Sequence, residues 1–410
     1  MIQSYRIRLF PTPEQEQQLR QTVDAMRFVW NWGLAYHMER FKNGEKHLSA
    51  FDMKKVLTQL KKQDEYKWLN SISSHTLSAA LLDLGDAYHR FFEIQKQGEK
   101  FTKAKIARFK RLNKKLTTYD MKGHPKFKKK AKAKQNFYVR YEKFYIMETS
   151  VNIEKIGKVE YQASFRKLKL PTANKKAENT VKFSNPRVSF RNDKWTLTFG
   201  MKCENQAQDL NAFAVGIDLG VKTLAVVSYD NGKKKEFKNI NKTKRVRKLK
   251  KRLRHFQRKV SRKYHVNGNY DKTNNILEAE KKAAAINLKL ANIRMNHIHH
   301  ATAEITDMLP HTIVMEDLNV TGMMKNRHLS KAIQEQCFYE FKRQVEYKCE
   351  RKGIKFQLAD RFFPSSKTCS SCGSIKKDLK LKDRAFKCEN CGLQIDRDLN
   401  ASINLEKLAY

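Results

Sequence analysis

No apolar run in this 410-residue chain is long enough to cross a bilayer, and Met1–Pro11 lacks the apolar core of a secretion signal. Those absences exclude a helical membrane protein and an exported one, so the expectation is a soluble, intracellular chain. No GxxxxGK[ST] phosphate loop occurs, so neither ATP hydrolysis nor a nucleotide cofactor is expected. No repeat of solenoid period is present. Cysteine is sparse and odd in number, at seven, which argues against a disulfide framework. Cys203, Cys337 and Cys349 stand alone and read as buried small hydrophobes. Acidic residues are in deficit: 42 Asp and Glu stand against 85 Lys and Arg, a net charge of +43. Self-repulsion of that size is relieved by a polyanion, and binding phosphates releases counterions from a nucleic acid.

Tyr5, Ile7 and Leu9 alternate with Arg6 and Arg8, the pattern of a half-buried strand. Thr12-Pro13-Glu14-Gln15 then supplies an N-cap, a first-turn proline and a capping-box glutamine. Helical spacing continues through Leu19, Val23, Met26 and Trp30, and recurs over Met53–Leu60 and Leu77–Phe92. From about residue 116 the period becomes that of strands. Trp195, Leu197, Phe199 and Met201 alternate with small or polar residues, Val188 and Phe190 form the facing run, and Arg191–Lys194 is the expected hairpin turn. Further strands are expected at Tyr138–Tyr145, Lys158–Tyr161 and Thr180–Phe183. Over residues 246–300 two seams, Val246-Leu249-Leu253-Phe256-Val260 and Ala283-Ile286-Leu290-Ile293-His297-His300, predict an antiparallel helical hairpin with a loop at Ser261–Asn275. His297 and His300 are assigned to packing in that seam rather than to a metal.

Cys369-x-x-Cys372 and Cys388-x-x-Cys391, separated by 15 residues, match a four-cysteine zinc site, with Gly373 and Gly392 suited to tight turns after each pair. Four thiolates leave no place for a reacting water, so one Zn²⁺ is expected in a structural role. Chemistry is sought among carboxylates. Asp218 lies near the end of an apolar strand, Glu316 ends a second apolar strand, and Asp398 sits where a terminal helix begins. Taken singly, each also fits a cap or a surface charge. If they meet, carboxylates packed together need cations, and oxygen donors suit Mg²⁺ or Mn²⁺, two of which would activate water and stabilise the leaving oxygen of a phosphodiester. Asp398, Ala401, Leu405 and Leu408 share a helix face, which aims Asp398 inward and leaves Asp396 as the cap.

Four motifs resemble the transposon-encoded TnpB (OrfB) family, relatives of the type V CRISPR effectors. They are Gly216-Ile217-Asp218-Leu219-Gly220, Glu316-Asp317-Leu318, Ser365-Ser366-Lys367-Thr368-Cys369 with both cysteine pairs, and Asp398-x-Asn400-Ala401-x-x-Asn404-Leu405. Tyr5–Pro11, Trp68-Leu69, Phe91-Phe92 and Pro125–Lys130 extend a weaker resemblance over nearly the whole chain. The resemblance implies an RNA-guided DNA endonuclease of a prokaryotic cytoplasm, associated with the nucleoid. Its guide RNA derives from the transposon end, and its double-stranded DNA target lies beside a short transposon-associated motif. It implies an α+β multidomain fold with a RuvC-like (RNase H-like) nuclease domain at 206–365 and 393–410, carrying the hairpin 246–300 and a zinc ribbon-like module at 366–392. A β-barrel-like wedge domain (1–12 and 116–205) would carry an inserted helical recognition domain (13–115). Asp218, Glu316 and Asp398 match the catalytic triad. Arg384 sits where relatives carry an arginine near the scissile phosphate; a structural salt bridge is the other role open to it.

Lys122–Lys134 and Lys242–Arg262 are basic runs, assigned here to phosphate contact through Lys126, Lys128, Lys129 and Lys130 and through Arg245, Arg247, Lys250 and Lys251. Two other functions stay open at this point: a guided DNA-binding repressor with a dead nuclease site, and a DNA transposase.

Overall fold

The Thr12 signal folds as its residues dictate. The Gln15 N–H donates to Thr12 Oγ1 at 3.3 Å and the Thr12 N–H donates to Gln15 Oε1 at 3.1 Å, closing the capping box. A computed structural model describes every residue except 1, 99, 114, 131–132, 141–143, 163–182, 203–207, 231, 267–272 and 381–382. Lys132, Cys203 and Thr180–Lys182, together with parts of the expected strand 138–145 and loop 261–275, therefore lie outside the described residues. The chain divides into two units, residues 2–203 and 204–410.

In the first unit β1 (Ile2–Phe10) is followed by α1 (Pro13–Lys42), α2 (Ala50–Leu60), α3 (Ser74–Lys96) and α4 (Lys103–Arg111). Six strands follow: β2 (Asn136–Tyr138), β3 (Phe144–Ile146), β4 (Ser150–Ile153), β5 (Gly157–Tyr161), β6 (Phe183–Arg191) and β7 (Lys194–Lys202). They form an antiparallel sheet in the order β2-β6-β7-β1-β5-β4-β3, so the N-terminal strand sits in the middle. Among the described residues no ladder joins β2 to β3. Asn192 and Asp193 turn the β6–β7 hairpin with φ of 52° and 56°, the left-handed pair a two-residue turn requires. Ile7, Leu9, Leu197 and Phe199 share one buried cluster with Leu19 and Val29 of α1 and Leu77 and Leu81 of α3.

The second unit opens with a meander, β8 (Asn211–Leu219), β9 (Thr223–Tyr229) and β10 (Lys233–Lys238), followed by α5 (Lys244–Val266) and α6 (Asn274–Thr306). Next come β11 (Pro310–Met315), α7 (Val320–Met323), α8 (Ser330–Gln336), α9 (Phe338–Lys352) and β12 (Lys355–Leu358). Last are β13 (Ala385–Lys387), β14 (Gln394–Asp396) and α10 (Arg397–Lys407). The main sheet has the order β10-β9-β8-β11-β12. β8 runs parallel to β11, and β11 parallel to β12, so three strands end on the same edge. Open sheets with parallel strands place their sites at that edge.

Two expectations are corrected here. α5 continues through Ser261 to Val266, because Tyr264 Oη, at 3.2 Å from Glu280 Oε1, ties its last turns to α6. The seam of α6 holds at Ile286 and Leu290, which pack on Val246 and Leu249. It then drifts: Ile298 takes the buried place, His297 bonds through its ring to the Lys238 carbonyl at 2.8 Å, and His300 is exposed. A straight helix of 33 residues rotates away from a strict seven-residue repeat.

α10 closes the unit by lying on β8 and β9. A Cβ on Gly216 would stand 2.0 Å from the Ser402 carbonyl oxygen and 2.4 Å from the Glu406 nitrogen. Glu406, itself buried, accepts a hydrogen bond from the buried Ser228 hydroxyl on β9. The Ala214 N–H donates to Tyr410 Oη at 3.0 Å. Gly216→Ala should therefore destabilise this unit by about 3 kcal/mol, the upper part of the usual overpacking range. Urea unfolding followed by limited proteolysis of residues 204–410 checks it; an unchanged midpoint would show that α10 does not press on β8.

Candidate metal centres

Register brings the carboxylates together. Ile217 of β8 stands beside Met315 of β11, which stands beside Leu358 of β12. The next residues are Asp218, still within β8 and paired with Val226 of β9, and Glu316, the first residue beyond β11. α10 delivers Asp398 in its first turn, while the Asp396 side chain caps the helix by accepting from the Asp398 and Leu399 N–H groups, both at 3.1 Å. Asp218 is only 9% exposed. Its pKa is raised well above the usual carboxyl range, first by burial, then by the charges of Glu316 and Asp398, with Arg397 opposing. Glu316 is raised by burial, partly offset by a hydrogen bond from Asp218. Buried acids whose charges act on one another suit a cation with oxygen ligands.

Arg397, which the sequence reading passed over, is the nearest fixed cation. Its guanidinium pairs with Asp398 at 3.1 Å, and both side chains are mostly buried. Arg384 is exposed, and its carbonyl accepts the Arg397 N–H at 2.8 Å, so its backbone is tied to the start of α10. Asp317 faces another way, held by the Arg361 fork at 2.5 and 3.1 Å, which keeps its carboxyl below the usual range.

The four cysteines form a second centre. The ligand atoms of Cys369, Cys372, Cys388 and Cys391 all lie within 4.8 Å of one another. Cys369 Sγ is 3.6 Å from Cys391 Sγ, and Cys372 Sγ is 3.6 Å from Cys388 Sγ. Tetrahedral zinc at ~2.3 Å from each sulfur needs sulfurs about 3.8 Å apart, so the set fits Zn²⁺. Both knuckles are built alike. The Cys369 N–H donates to the Ser374 carbonyl and the Cys388 N–H to the Leu393 carbonyl, each at 2.8 Å, and Gly373 and Gly392 share φ +76°. That left-handed turn favours glycine. Hydrogen bonding from Ser374 brings the Cys372 thiol down to about 5, toward the thiolate a metal requires.

Two buried carboxamides connect the centres. Asn400 accepts the Ser370 N–H at 2.9 Å and donates to the Thr368 carbonyl at 2.7 Å. Asn404 donates to the Ser365 and Thr368 carbonyls at 2.8 and 2.6 Å. Their spacing, one turn apart on α10, was the available signal of a shared face.

Of the cations assigned to phosphate, Lys126, Lys129, Arg245, Arg247 and Lys251 are exposed. Lys130 is exposed too and reaches Asp24 at 3.3 Å. Lys128 and Lys250 are half-buried and each has a partner within the fold. Lys128 Nζ lies 3.5 Å from the Trp30 ring centroid, with its pKa lowered by burial. Lys250 pairs with Glu335 at 2.6 Å. Beyond Lys251, Arg254, Arg258 and Arg262 extend the same basic face of α5. Cys349 is fully buried and Cys337 partly so.

Three family profiles match the chain. They are a "Helix-turn-helix domain" of OrfB type over residues 1–46, an IS605 OrfB profile described as "Probable transposase" over 198–327, and a "Cas12f1-like, TNB domain" over 338–405. Residues 2–42 here hold one strand and one 30-residue helix. A Streptomyces pristinaespiralis protein named "Putative RNA-guided DNA endonuclease" is 27% identical over 98% of this chain and 88% of its own length. The Escherichia coli K12 protein of the same name, InsQ, is 27% identical over 98% of this chain and 91% of its own. A solved structure of a mini-RNA-guided endonuclease, CRISPR-Cas phi3, aligns over 100% of this chain and 92% of that one at 10% identity, with a TM-score of 0.46. Among the described residues no helix is long and apolar enough to cross a membrane.

Two outcomes follow from these centres. Metal analysis of reduced protein should find about one zinc per chain, lost in Cys372→Ser together with protease resistance around residues 366–392; protein free of zinc would remove the four-thiolate centre. The second concerns Asp218, whose pKa is raised on folding. The fold therefore loses stability as pH climbs from the unfolded value, ~3.9, through the folded one. Asp218→Asn should melt a few degrees above the parent at pH 8 without added divalent ion, and the gap should shrink near pH 4. Equal melting temperatures at both pH values would deny the buried charge.

Proposed function

We propose that the chain, which belongs to the IS605 OrfB/TnpB family, is a transposon-encoded RNA-guided DNA endonuclease. It cuts DNA complementary to a bound guide RNA, beside a short transposon-associated motif. The observation that carries this reading is the approach of Asp218, Glu316 and Asp398 at one sheet edge, where each of the last two raises the pKa of the first. A strand order of three antiparallel followed by two parallel strands supports a RuvC-like (RNase H-like) assignment for 206–365 and 393–410. Residues 366–392 act as a zinc module with one structural Zn²⁺. Residues 1–12 and 116–205 act as the wedge domain, and 13–115 as the recognition domain.

The three carboxylates would hold two Mg²⁺ or Mn²⁺ ions, which when bound supply an acidic water and neutralise charge at the leaving oxygen. The chain's own part is positional. β8 and β11 fix Asp218 and Glu316 on adjacent strands. Asp396 starts α10 so that the following turn turns Asp398 inward. Arg397 stays beside Asp398 as a counter-charge, and Arg384, exposed and bonded through its carbonyl to the Arg397 N–H, is assigned to the scissile phosphate. The exposed cations Lys126, Lys129, Arg245, Arg247 and Lys251 hold backbones without reading bases. Base pairing with the guide supplies sequence choice.

The intact triad weighs against the guided repressor. The zinc module and the overall layout fit a transposase less well. Protein purified without nuclease treatment should carry a discrete structured RNA. With DNA matching that RNA and Mg²⁺, Asp398→Ala should cut at least a hundredfold more slowly while binding RNA and target as the parent does. Asp396→Ala should keep cutting and lose about 1 kcal/mol of stability with its cap. Cleavage by Asp398→Ala at the parental rate, or a dead Asp396→Ala alone, would refute the assignment.

A further inference from the structure

The first unit contains a groove of which the nuclease reading uses only Lys126. α4 buries none of its residues and carries Lys103, Lys105, Arg108, Lys110 and Arg111 with no acid. Ile106 on it and Leu112 just beyond it remain 37% and 46% exposed. A short helix with an uncovered apolar side and a cationic remainder is built for a partner that is both flat and anionic. Facing α4, Phe127 is 50% exposed and Lys126 is exposed beside it. Arg108, Phe109, Tyr119, Lys126 and Phe127 line an open groove of about 430 Å³. Lys105 is held at 2.9 Å by Asp120, which leaves Arg108 and Lys126 as the cations at its rim.

The groove narrows inward. Tyr119 and His124 also line a smaller cavity of about 80 Å³, walled by His37, His47, Tyr88 and Phe92. His37 and His47 stack with ring centroids 4.1 Å apart and planes 4° from parallel, and Tyr88 meets both edge-on. His37 is 6% exposed, and its Nδ1 has no hydrogen-bond partner. An unpaired buried polar atom is costly, and a ligand with a hydrogen-bonding edge offsets that cost. Burial keeps that imidazole neutral, with its pKa down to about 4. The cavity is smaller than the ~150 Å³ that holds a benzene ring, so it admits the edge of a flat ring rather than a whole nucleotide.

Flat apolar surfaces between cations match nucleobases between phosphates, and the base faces must be uncovered, which excludes a duplex. We propose that this groove holds an unpaired stretch of nucleic acid. Its phosphates lie on Arg108 and Lys126, its bases stack on Phe127 and Tyr119, and the edge of one base reaches His37 Nδ1. The proposal rests on the nuclease reading only in that the chain binds nucleic acid. An unpaired part of a guide RNA and a displaced DNA strand share this chemistry.

The full chain, carrying Asp218→Asn to prevent cutting, is titrated with fluorescent single strands of uridylate and of thymidylate. Abasic counterparts of both and a duplex of the same length serve as controls. Phe127→Ala should weaken binding of base-bearing strands about tenfold and leave abasic strands and duplex within twofold. Phe127→Trp should restore it. His37→Phe, which keeps the ring stack, should lower the preference for base-bearing over abasic strands without lowering the melting temperature. Strands carrying 4-thiouridine or 4-thiothymidine should crosslink to the peptides holding Tyr119 or Phe127, and the better-bound strand names the source. Crosslinks confined to other segments, or a Phe127→Ala loss equal for all four probes, would overturn the groove. Loss of DNA cutting with these results intact would remove the nuclease and leave the groove, and the converse is equally readable.

Discussion

The contact on which the second unit depends is the approach of α10 to β8 at Gly216. With hydrogen in place of a side chain at that position, the Ser402 carbonyl and the Glu406 amide come within a distance any Cβ would forbid. One helix is thereby fixed in height and rotation against the sheet. From its first turn it sends Asp398 toward Asp218; from its next two turns it sends Asn400 and Asn404 into the loop that begins the cysteine module. The carboxylate cluster and the four-cysteine cluster are mechanically one object, since neither can shift along α10 without dragging the other. A zinc held by the four thiolates would stiffen the loop against which the carboxamides brace.

The electrostatics repeat this economy. The chain carries a net charge of +43, yet its acid cluster is a local concentration of negative charge set at the end of the parallel strands. Burial and the neighbouring charges raise the Asp218 pKa, and Asp398 keeps Arg397 beside it. Lys128 and Lys250 look identical to their neighbours in the sequence and differ only because Trp30 and Glu335 lie within reach.

That contrast marks what was legible in the sequence. The cap at Thr12, the alternation of Trp195 to Met201 and the face shared by Asp398, Ala401 and Leu405 are local or periodic, and their residue types settled them in advance. The cysteine spacing was equally readable, because two residues between thiols is a geometric requirement of the metal. Which lysine pairs, how far α5 runs and where the α6 seam drifts all depend on partners distant in the chain. His297 was misassigned for that reason: a heptad count says nothing about the Lys238 carbonyl it meets. Asn400 and Asn404 stood within a recognised motif and Arg397 one residue before it, but their tasks appear only when α10 is laid on the sheet and against residues 365–370.

The order in which these residues occur along the chain has a kinetic meaning. Ser228 and Glu406, which seat α10 on the sheet, are 178 positions apart. Contacts so remote must wait for the intervening segments to collapse, and loop-closure entropy makes them late events in folding. A growing polypeptide can thus complete its meander and its long helical hairpin, with their cationic faces, while still lacking its third carboxylate. Nucleic acid could be engaged before any capacity to break it exists. The interval between those two states closes when α10 settles on β8 and on the loop at residues 365–370.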